Sequence, residues 1–334
     1  MEKLSVGVIG LGLGRIHVGA YAESALVGRL VICDPDEQRL AEVKAAFPKV
    51  AKAYTRIEAM LEAERPDAVS VVTPDHLHRQ HATQCLAAGC HVLLTKPLAC
   101  NLEEGRAIVR AAEASGKTFM VAHERRFRPS TRAIVELLRS GKLGEIICIR
   151  ADSAEDKRAQ FRRSPWYASP EAGRTALVGT GIHEVDLLRF LIGRPIQSVA
   201  AYSNSLGTLE FPGAKTTAVL YQFEGGAIGQ VLVTYEPHWP KGGARGTHFQ
   251  LIGSTGLIVG DQAAWDGQDG WRELPRDASP VADGSRAAVA AFLQTLVEGG
   301  PVPVSGRDAF ASLAAAVAGD ESAATGRKTV PASL

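Results

Sequence analysis

The chain has few of the features that build disulfide frameworks, zinc sites, membrane spans or polyanion-binding surfaces. Only 5 of its 334 residues are cysteine, and none forms a C-x-x-C pair, which excludes the usual zinc and disulfide patterns and favours a reducing cytoplasm. The formal net charge is +1, which gives no reason to expect nucleic acid or an anionic membrane as a partner. No run approaches the about 18 apolar residues of a membrane span, and we expect no signal peptide before the first strand.

The composition is that of an ordinary globular protein with room for two domains. Hydrophobic residues make up 46% and charged residues 22% of the chain, as in soluble proteins. Over residues 1–122, short apolar strands alternate with helices, which predicts a parallel, doubly wound α/β sheet. Over residues 123–334 the strands are longer and Glu224-Gly225-Gly226 signals a hairpin. This predicts an α+β domain with a large, mostly antiparallel open sheet.

One predicted strand of the second domain, Thr216–Phe223, is partly apolar on both faces. Ala218 and Leu220 lie on one face, and Val219 and Tyr221 lie on the other. Helices on one side of the sheet would leave the second face exposed, so we expect that face to pack on a partner subunit in a homodimer or homotetramer. Burial of both faces within one chain is the alternative.

The opening strand, turn and helix predict a dinucleotide site. Val6–Ile9 has the pattern of a buried strand, and the three glycines that follow remove every Cβ from the turn. Phosphate oxygens can then approach the backbone, where the next helix points its free N–H groups. The turn is one residue shorter than G-x-G-x-x-G, so the third glycine role falls to Gly14. We assign the following residues to the cofactor: Gly10, Gly12, Leu13, Gly14, Arg15 and Ile16.

A carboxylate follows the second strand and predicts which dinucleotide binds. Asp34 comes 24 residues after Gly10, close to the spacing at which an acid reaches the adenosine ribose hydroxyls. A carboxylate about 4 Å from a 2′-phosphate is repelled by on the order of 4 kcal/mol at an effective dielectric constant near 20. We therefore expect NAD rather than NADP, although Arg39 is close enough in sequence to soften the discrimination.

Two further strand ends carry polar residues at the edge where ligands bind such sheets. Thr73-Pro74-Asp75-His76-Leu77-His78 follows one strand, and Thr95-Lys96-Pro97 follows the next. Pro97 restricts the backbone of Lys96 to an extended shape that aims its ammonium outward, where it can stabilise negative charge on a reacting oxygen. A solvated surface lysine is the alternative. We add the following residues to the cofactor site: Thr73, Pro74, His78, Lys96 and Pro97.

The second domain contains a histidine in a position suited to acid–base chemistry. Gly179, Thr180 and Gly181 precede a predicted helix over Ile182–Leu191, in which His183 lies in the first turn and Asp186 follows on the same face. A histidine can accept a proton from an alcohol, and a carboxylate three residues on can orient it. A helix N-terminal histidine with a neighbouring acid is an equally good local interpretation.

Other polar and aromatic residues have weaker patterns. His76, His78 and His81 lack carboxylate or thiolate companions, so we interpret them as polar surface and predict no metal site. Arg126, in the basic run after residue 124, either holds an anionic substrate or pairs with acidic residues where the two predicted domains meet. Trp166 lies in a loop, where it could stack on a sugar ring or join a small satellite core.

Several of these segments together resemble the Gfo/Idh/MocA family of glucose-fructose oxidoreductase, inositol dehydrogenase and rhizopine catabolism proteins. The resemblance covers essentially the whole chain, and its most specific part is Lys96-Pro97 combined with the later His183-x-x-Asp186. It is carried by the following segments: Val6–Arg15, 73–78, 91–98, 126–129, 181–188 and 326–331.

The resemblance implies a Rossmann domain, a sheet-based second domain, NAD or NADP chemistry on sugars or cyclitols, and oligomerisation through the sheet. It implies that Lys96 and His183 are catalytic, with Asp186 as a substrate-binding or orienting residue. We assign the following residues to the substrate: Lys96, Arg126, Thr180, His183 and Trp166. The chain departs from the family pattern at Thr95, where the family has glutamate, and at Gly179, where it has aspartate.

Three functions follow from this sequence. The first is an NAD-dependent dehydrogenase, or the reverse ketone reductase, acting on a secondary hydroxyl of a sugar, glycoside or cyclitol. The second is a glycoside-cleaving enzyme that oxidises its substrate transiently with tightly held NAD. The third is a non-catalytic NAD-binding sensor, which the loss of an acid at Gly179 favours and the presence of Lys96 and His183 opposes.

Overall fold

The computed structural model describes residues 3–239 and 248–334. The sequence also predicts a loop over His238–Gly246 that contributes to specificity, and residues 240–246 of this loop lie outside the described residues. The chain forms two compact units. The first comprises residues up to 99, 103–127 and 279–310, and the second comprises residues 100–102, 128–278 and 311–334. The division into domains 1–122 and 123–334 stays a prediction. None of the described helices is long and apolar enough to cross a membrane.

The first unit is built on alternating strands and helices, as the sequence predicts. The sequence predicts helices over Glu37–Ala46 and Ile57–Glu64, and α2 and α3 have these bounds. The strand β3 was not predicted, because its sequence offers only one strongly apolar residue. The elements are β1 (Leu4–Ile9), α1 (Gly14–Glu23), β2 (Val27–Cys33), α2 (Glu37–Ala46), β3 (Val50–Tyr54), α3 (Ile57–Glu64), β4 (Ala68–Val71), α4 (His78–Ala87), β5 (His91–Thr95), α5 (Leu102–Ser115, with its first residue in the second unit) and β6 (Phe119–Ala122).

The six strands of this unit form one parallel sheet in the order β3-β2-β1-β4-β5-β6. This is the doubly wound Rossmann order, which confirms the predicted α/β class. Strands β4 and β6 are buried along their whole length, since helices cover both faces of such a sheet. The order reverses between β1 and β4, so the ligand crevice of this fold opens at their carboxyl ends, where Gly10 and Thr73 lie.

The second unit is dominated by an antiparallel sheet, with few helices. The sequence predicts strands over Ile146–Ala151, Val199–Ser203, Thr216–Phe223, Ile228–Tyr235, His248–Ile252 and Gly256–Gly260, and all six are present within a few residues of these bounds. Helix α7 and the strands β13 and β14 are not among the predicted elements. The elements are α6 (Pro129–Arg139), β7 (Ile146–Ala154), α7 (Arg158–Arg163), α8 (Ile182–Ile192), β8 (Ile196–Asn204), β9 (Thr216–Phe223), β10 (Ile228–Thr234), β11 (Phe249–Gly253), β12 (Gly256–Val259), β13 (Gln262–Trp265) and β14 (Arg272–Glu273).

These eight strands form one sheet in the order β14-β13-β12-β11-β7-β10-β9-β8, with a single parallel pair, β7 and β10. The sheet is therefore mostly antiparallel, as predicted. Its inner face is buried, and α8 packs on β7 and β10. Val219, Tyr221 and Phe223 of β9 are each no more than 1% exposed, and burial of each such side chain contributes about 1.5–3 kcal/mol.

The outer face of the same sheet stays open within the chain. Leu220 is 51% exposed, Ile228 is 49% exposed, and Tyr202 on the neighbouring strand is 84% exposed. Burial of both faces within one chain, the alternative interpretation of the Thr216–Phe223 pattern, is therefore wrong. The strand alternates instead, with one apolar row in the core and one at the surface.

Two long helices end the chain. Helix α9 (Pro280–Glu298) belongs to the first unit, where it packs on α1 and on the turn Glu124–Phe127. The sequence predicts a helix near Arg286–Val297, and α9 begins six residues earlier because Pro280 fits the first turn of a helix. Helix α10 (Gly306–Thr325) begins in the first unit and continues in the second, where Ala315 accepts a hydrogen bond from the Tyr221 hydroxyl (3.4 Å).

Candidate active site

The glycine turn between β1 and α1 has the shape of a phosphate cradle. Gly10 has φ +83°, and a Cβ there would lie 2.5 Å from the carbonyl oxygen of Val72, so only glycine fits. Gly14 packs against Val8, whereas a Cβ on Gly12 would meet no protein atom within 4 Å. The space above Gly12 is thus open to a ligand rather than filled by packing.

The start of α1 adds the electrostatic part of this cradle. Leu13 occupies the N-cap position and has no polar side chain with which to cap the helix. Leu13 and Arg15 are exposed, and Ile16 is half-buried. Backbone N–H groups and the positive end of the helix dipole therefore face outward, as a pyrophosphate group requires. The residues at this turn fit a dinucleotide.

The Asp34 carboxylate links the second strand to the glycine turn. One of its oxygens accepts the Leu11 N–H at 2.7 Å, and the other accepts the Asp36 N–H at 3.0 Å. The Arg39 guanidinium approaches the same carboxylate at 3.2 Å. Asp34 is only 3% exposed, so it fixes the turn and simultaneously places negative charge where the adenosine ribose of a dinucleotide would bind.

A buried polar cluster lies behind the glycine turn. Ser70 on β4 is within 3.1 Å of the His17 ring and 2.7 Å of the Tyr21 hydroxyl, both on α1. Burial lowers the pKa of His17 from 6.5 to about 4 and raises the pKa of Tyr21. Both side chains are therefore neutral at pH 7, and their hydrogen bonds hold α1 against the sheet.

His78 connects the two strand ends that the sequence singles out. Its Nδ1 lies 2.8 Å from the carbonyl oxygen of Pro97, and its Nε2 lies 3.0 Å from the carbonyl oxygen of Thr73. The ring is fully buried, so the interpretation of His78 as polar surface is wrong. Burial lowers the pKa of His78, although the neighbouring Asp75 carboxylate raises it. His78 therefore positions the loops after β4 and β5; its direct contact with the cofactor stays a prediction.

Lys96 follows β5 in one of those loops. It is half-buried, and its peptide bond to Pro97 is cis. Its positive charge is close enough to act on the His78 ring, whose pKa it lowers. The half-buried Thr73 and Pro74 belong to the loop on the other side of that ring. The structure thus brings together Thr73, His78, Lys96 and Pro97 within the first unit.

Arg126 has an ion-pair partner inside the first unit. Its guanidinium lies 2.6 Å from Asp308 at the start of α10, and its side chain is 6% exposed. Arg126 therefore pairs with an acidic residue of its own unit, and pairing with acids where the predicted domains meet stays a prediction. Substrate binding by Arg126 stays a prediction.

In the second unit, His183 lies half-buried in the first turn of α8. Asp186, one turn later, is 1% exposed and accepts a hydrogen bond from the Ser312 hydroxyl at 2.8 Å. Ser312 in turn accepts one from Arg189 at 2.7 Å. Asp186 thereby anchors α8 to α10, which makes it a positioning residue for the helix that carries His183.

The segment before α8 is a π-helical turn, Leu177–Gly181. Such turns are rare and occur often at functional sites. Thr180 in this turn is 4% exposed and lies 2.9 Å from the buried Tyr235 hydroxyl. Thr180 therefore has a partner inside the unit, and its predicted substrate contact remains untested.

Sequence reasoning missed Arg174, which lies beside this turn. Its guanidinium donates a hydrogen bond to the carbonyl oxygen of Gly179 at 2.6 Å and is 4.7 Å from the ring centre of Tyr167. Trp166, a predicted substrate residue, stacks on Tyr167 with ring centres 3.8 Å apart. The signal in the sequence was the glycine at 179, which leaves room for a neighbouring side chain.

A second network fixes the beginning of the turn. The Thr175 hydroxyl donates to the Asp320 carboxylate at 2.7 Å and accepts the Val178 N–H at 3.0 Å. Burial raises the pKa of Asp320 from 3.8 to about 6. The carboxylate is therefore ionised at pH 8 only at a cost to the folded state.

Replacement of Asp320 by asparagine is expected to stabilise the protein at alkaline pH. Because the folded-state pKa of about 6 lies above the unfolded value of 3.8, ionisation costs about 2–3 kcal/mol above pH 6 and almost nothing near pH 4. Urea unfolding should show that gain for Asp320→Asn at pH 8 and little change at pH 4. The exposed Asp269→Asn variant is the control, and an equal gain at both pH values would contradict this account.

Comparison with known proteins places these features in one family. The model of an oxidoreductase family with an NAD-binding Rossmann fold matches residues 4–123, and the C-terminal domain model of the same family matches residues 131–259. The chain belongs to the Gfo/Idh/MocA family. It is therefore an NAD(P)-dependent oxidoreductase, as the sequence predicts.

Individual relatives extend over most of this family member. An uncharacterised oxidoreductase of Synechocystis sp. is 31% identical and covers 81% of this chain and 75% of that protein. Inositol 2-dehydrogenase 2 of Saccharopolyspora erythraea is 28% identical, and the match covers 99% of this chain and 96% of that protein. A solved structure of levoglucosan dehydrogenase with NADH and levoglucosan has a TM-score of 0.87 at 25% identity, covering 99% and 100%.

Proposed function

We propose that this family member transfers hydride between NAD and a secondary hydroxyl or ketone of a sugar, glycoside or cyclitol. The observation that carries the proposal is the cradle around Gly12 with Asp34 beneath it, in a chain whose relatives are named for inositol and levoglucosan oxidation. When bound, the nicotinamide supplies the hydride acceptor or donor. Gly10, Gly12, Leu13, Gly14, Arg15, Ile16 and Asp34 would hold the dinucleotide.

The residues that act on the substrate are proposed to be Lys96 and His183. Loss of hydride from the carbon makes the hydroxyl proton acidic, and His183 takes that proton. The Lys96 ammonium stabilises negative charge that develops on a substrate oxygen during hydride transfer. Asp186 acts indirectly, because the hydrogen bond that it accepts from Ser312 fixes the helix that carries His183.

A panel of sugars, glycosides and inositols tests this function. The purified protein should produce NADH, followed at 340 nm, with at least one member of the panel and NAD. If the protein binds NADH but neither oxidises any polyol of the panel nor reduces any corresponding ketone, the result would contradict the proposal and favour the sensor function.

We also infer that copies of the chain associate through the outer face of the eight-stranded sheet. The half-exposed Leu220 and Ile228 and the largely exposed Tyr202 form an apolar row that single chains do not usually leave in water. The free cysteines among the described residues, four of them buried, support a reducing compartment, and we propose the cytoplasm.

Charge placed on the outer sheet face is expected to dissociate the oligomer. The double variant Leu220→Lys/Ile228→Lys should elute as a monomer in size-exclusion chromatography with light scattering, whereas the parent should be a dimer or tetramer. Val281→Lys, which alters an equally exposed apolar residue on α9, is the control. A monomeric parent, or a double variant that keeps the parent mass, would contradict the inference.

A further inference from the structure

The Arg174 guanidinium fills the volume of the side chain that Gly179 lacks. A Cβ on Gly179 would lie 2.4 Å from both Cζ and Nε of Arg174. The φ of Gly179 lies outside the left-handed region, so its backbone does not require glycine. A larger residue at position 179 would clash with the Arg174 guanidinium, so glycine at this position leaves the space that Arg174 occupies.

Arg174 is held in this position by several contacts. It is 6% exposed, it donates to the Gly179 carbonyl, and its Cζ lies 4.7 Å and 5.7 Å from the ring centres of Tyr167 and Trp166. Cation–π contacts of this kind fix the plane of a guanidinium. The charged group is therefore preorganised rather than swinging freely.

The position of Arg174 relates it to His183. Residues four apart in a helix share a face, and the π-helical turn continues directly into α8. Gly179 and His183 therefore lie on the same side of this helical segment. Because the guanidinium covers Gly179, it flanks the side on which His183 lies.

A guanidinium beside two stacked aromatic rings is suited to bind a ligand that carries both a carboxylate and a sugar ring. Its planar fork of N–H donors matches a carboxylate, and an aromatic face suits the apolar face of a sugar ring. We propose that Arg174 is a specificity residue and that the substrate is a sugar acid, whose carboxylate binds Arg174 while its hydroxyl meets His183. This inference rests on the proposed oxidoreductase function.

The test compares acidic and neutral partners that differ by one carboxylate. D-Glucuronate is set against D-glucose, D-galacturonate against D-galactose, and D-gluconate against D-glucitol. The wild-type enzyme should show a higher kcat/KM for the acids. Arg174→Met should lower the acid-to-neutral ratio of kcat/KM by roughly 10- to 100-fold, the range for loss of a charge-assisted hydrogen bond. Arg174→Lys should keep part of the preference.

Three controls separate specificity from folding. The exposed Arg163→Met removes the same charge nearby and should leave the ratio unchanged. Thermal unfolding midpoints and NADH binding show whether the Arg174 variants are folded. Calorimetric titration of the NADH-loaded wild type with each acid and each neutral sugar needs no variant, and the acids should bind more tightly.

The outcomes distinguish this inference from the proposed function. Oxidation or binding of neutral sugars in preference to every acid would overturn the inference and leave the oxidoreductase function intact. An equal loss for both classes in Arg174→Met would also overturn it, because that result indicates a structural role. Tight binding of acids without hydride transfer would support the Arg174 assignment and contradict the function.

Discussion

Replacing Lys96 with methionine is expected to lower kcat by about 10²–10³-fold, the loss typical for removal of one preorganised donor to a developing oxyanion. Methionine keeps most of the side-chain length and removes the charge. The His78 bridge between the carbonyls of Pro97 and Thr73 does not involve the Lys96 side chain, so the loops should stay in place. The protein should therefore fold and still bind NADH, and because Lys96 is only one of the residues assigned to the cofactor, the NADH affinity should fall far less than kcat.

His183→Asn is expected to lower kcat to a similar or greater extent, by about 10²–10⁴-fold, because it removes the proposed proton acceptor. Steady-state rates with the best substrate of the panel measure both effects, and fluorescence titration measures NADH affinity. Lys44→Met, at an exposed position of α2, is the control for a general loss of positive charge. A variant of Lys96 or His183 with at least half the parental kcat would contradict these roles.

Replacement of Asp34 by serine is expected to produce the second large effect, a change of cofactor preference. Repulsion between Asp34 and a 2′-phosphate is on the order of 4 kcal/mol at an effective dielectric constant near 20, which corresponds to about 10³-fold in the NAD-to-NADP ratio of kcat/KM. Removal of the carboxylate also releases Arg39, which now lies 3.2 Å from it, to meet a phosphate. In Asp34→Ser, kcat/KM should rise for NADP and fall for NAD.

The control for that change is Asp36→Ser, which alters the neighbouring, more exposed carboxylate and leaves the Leu11 contact of Asp34 intact. The measurement is kcat/KM for each cofactor at saturating substrate. Because Asp34 also accepts the Leu11 N–H, some loss of stability is expected in Asp34→Ser. A parent that prefers NADP, or a variant with an unchanged ratio, would contradict the assignment of Asp34.

The parts of the fold that local pattern determines were predictable from the sequence. The glycine turn, the acid after β2 and the bounds of α2 follow from spacing and period, which act over a few residues. The short edge strand β3 was missed because Val50–Tyr54 gains its order from pairing with β2, and its own composition is weak.

Contacts between distant residues were not predictable from the sequence. The Asp320 carboxylate is 145 residues from Thr175, and Ser312 is 126 residues from Asp186. No periodicity records such pairs, because they depend on how α10 packs on the segments around α8. Arg174 is only five residues from Gly179, yet its role appears only when the π-helical turn brings the two together.

Lys96 and His183 are both proposed to act in the hydride-transfer step, and a double-mutant cycle on the single-turnover rate of NADH formation tests this most directly. When two groups act together in one step, the rate loss in the double variant is smaller than the product of the two single losses. We expect Lys96→Met/His183→Asn to be no more than about tenfold slower than the slower single variant. Losses that multiply in full would show that the two side chains act independently and would contradict the account.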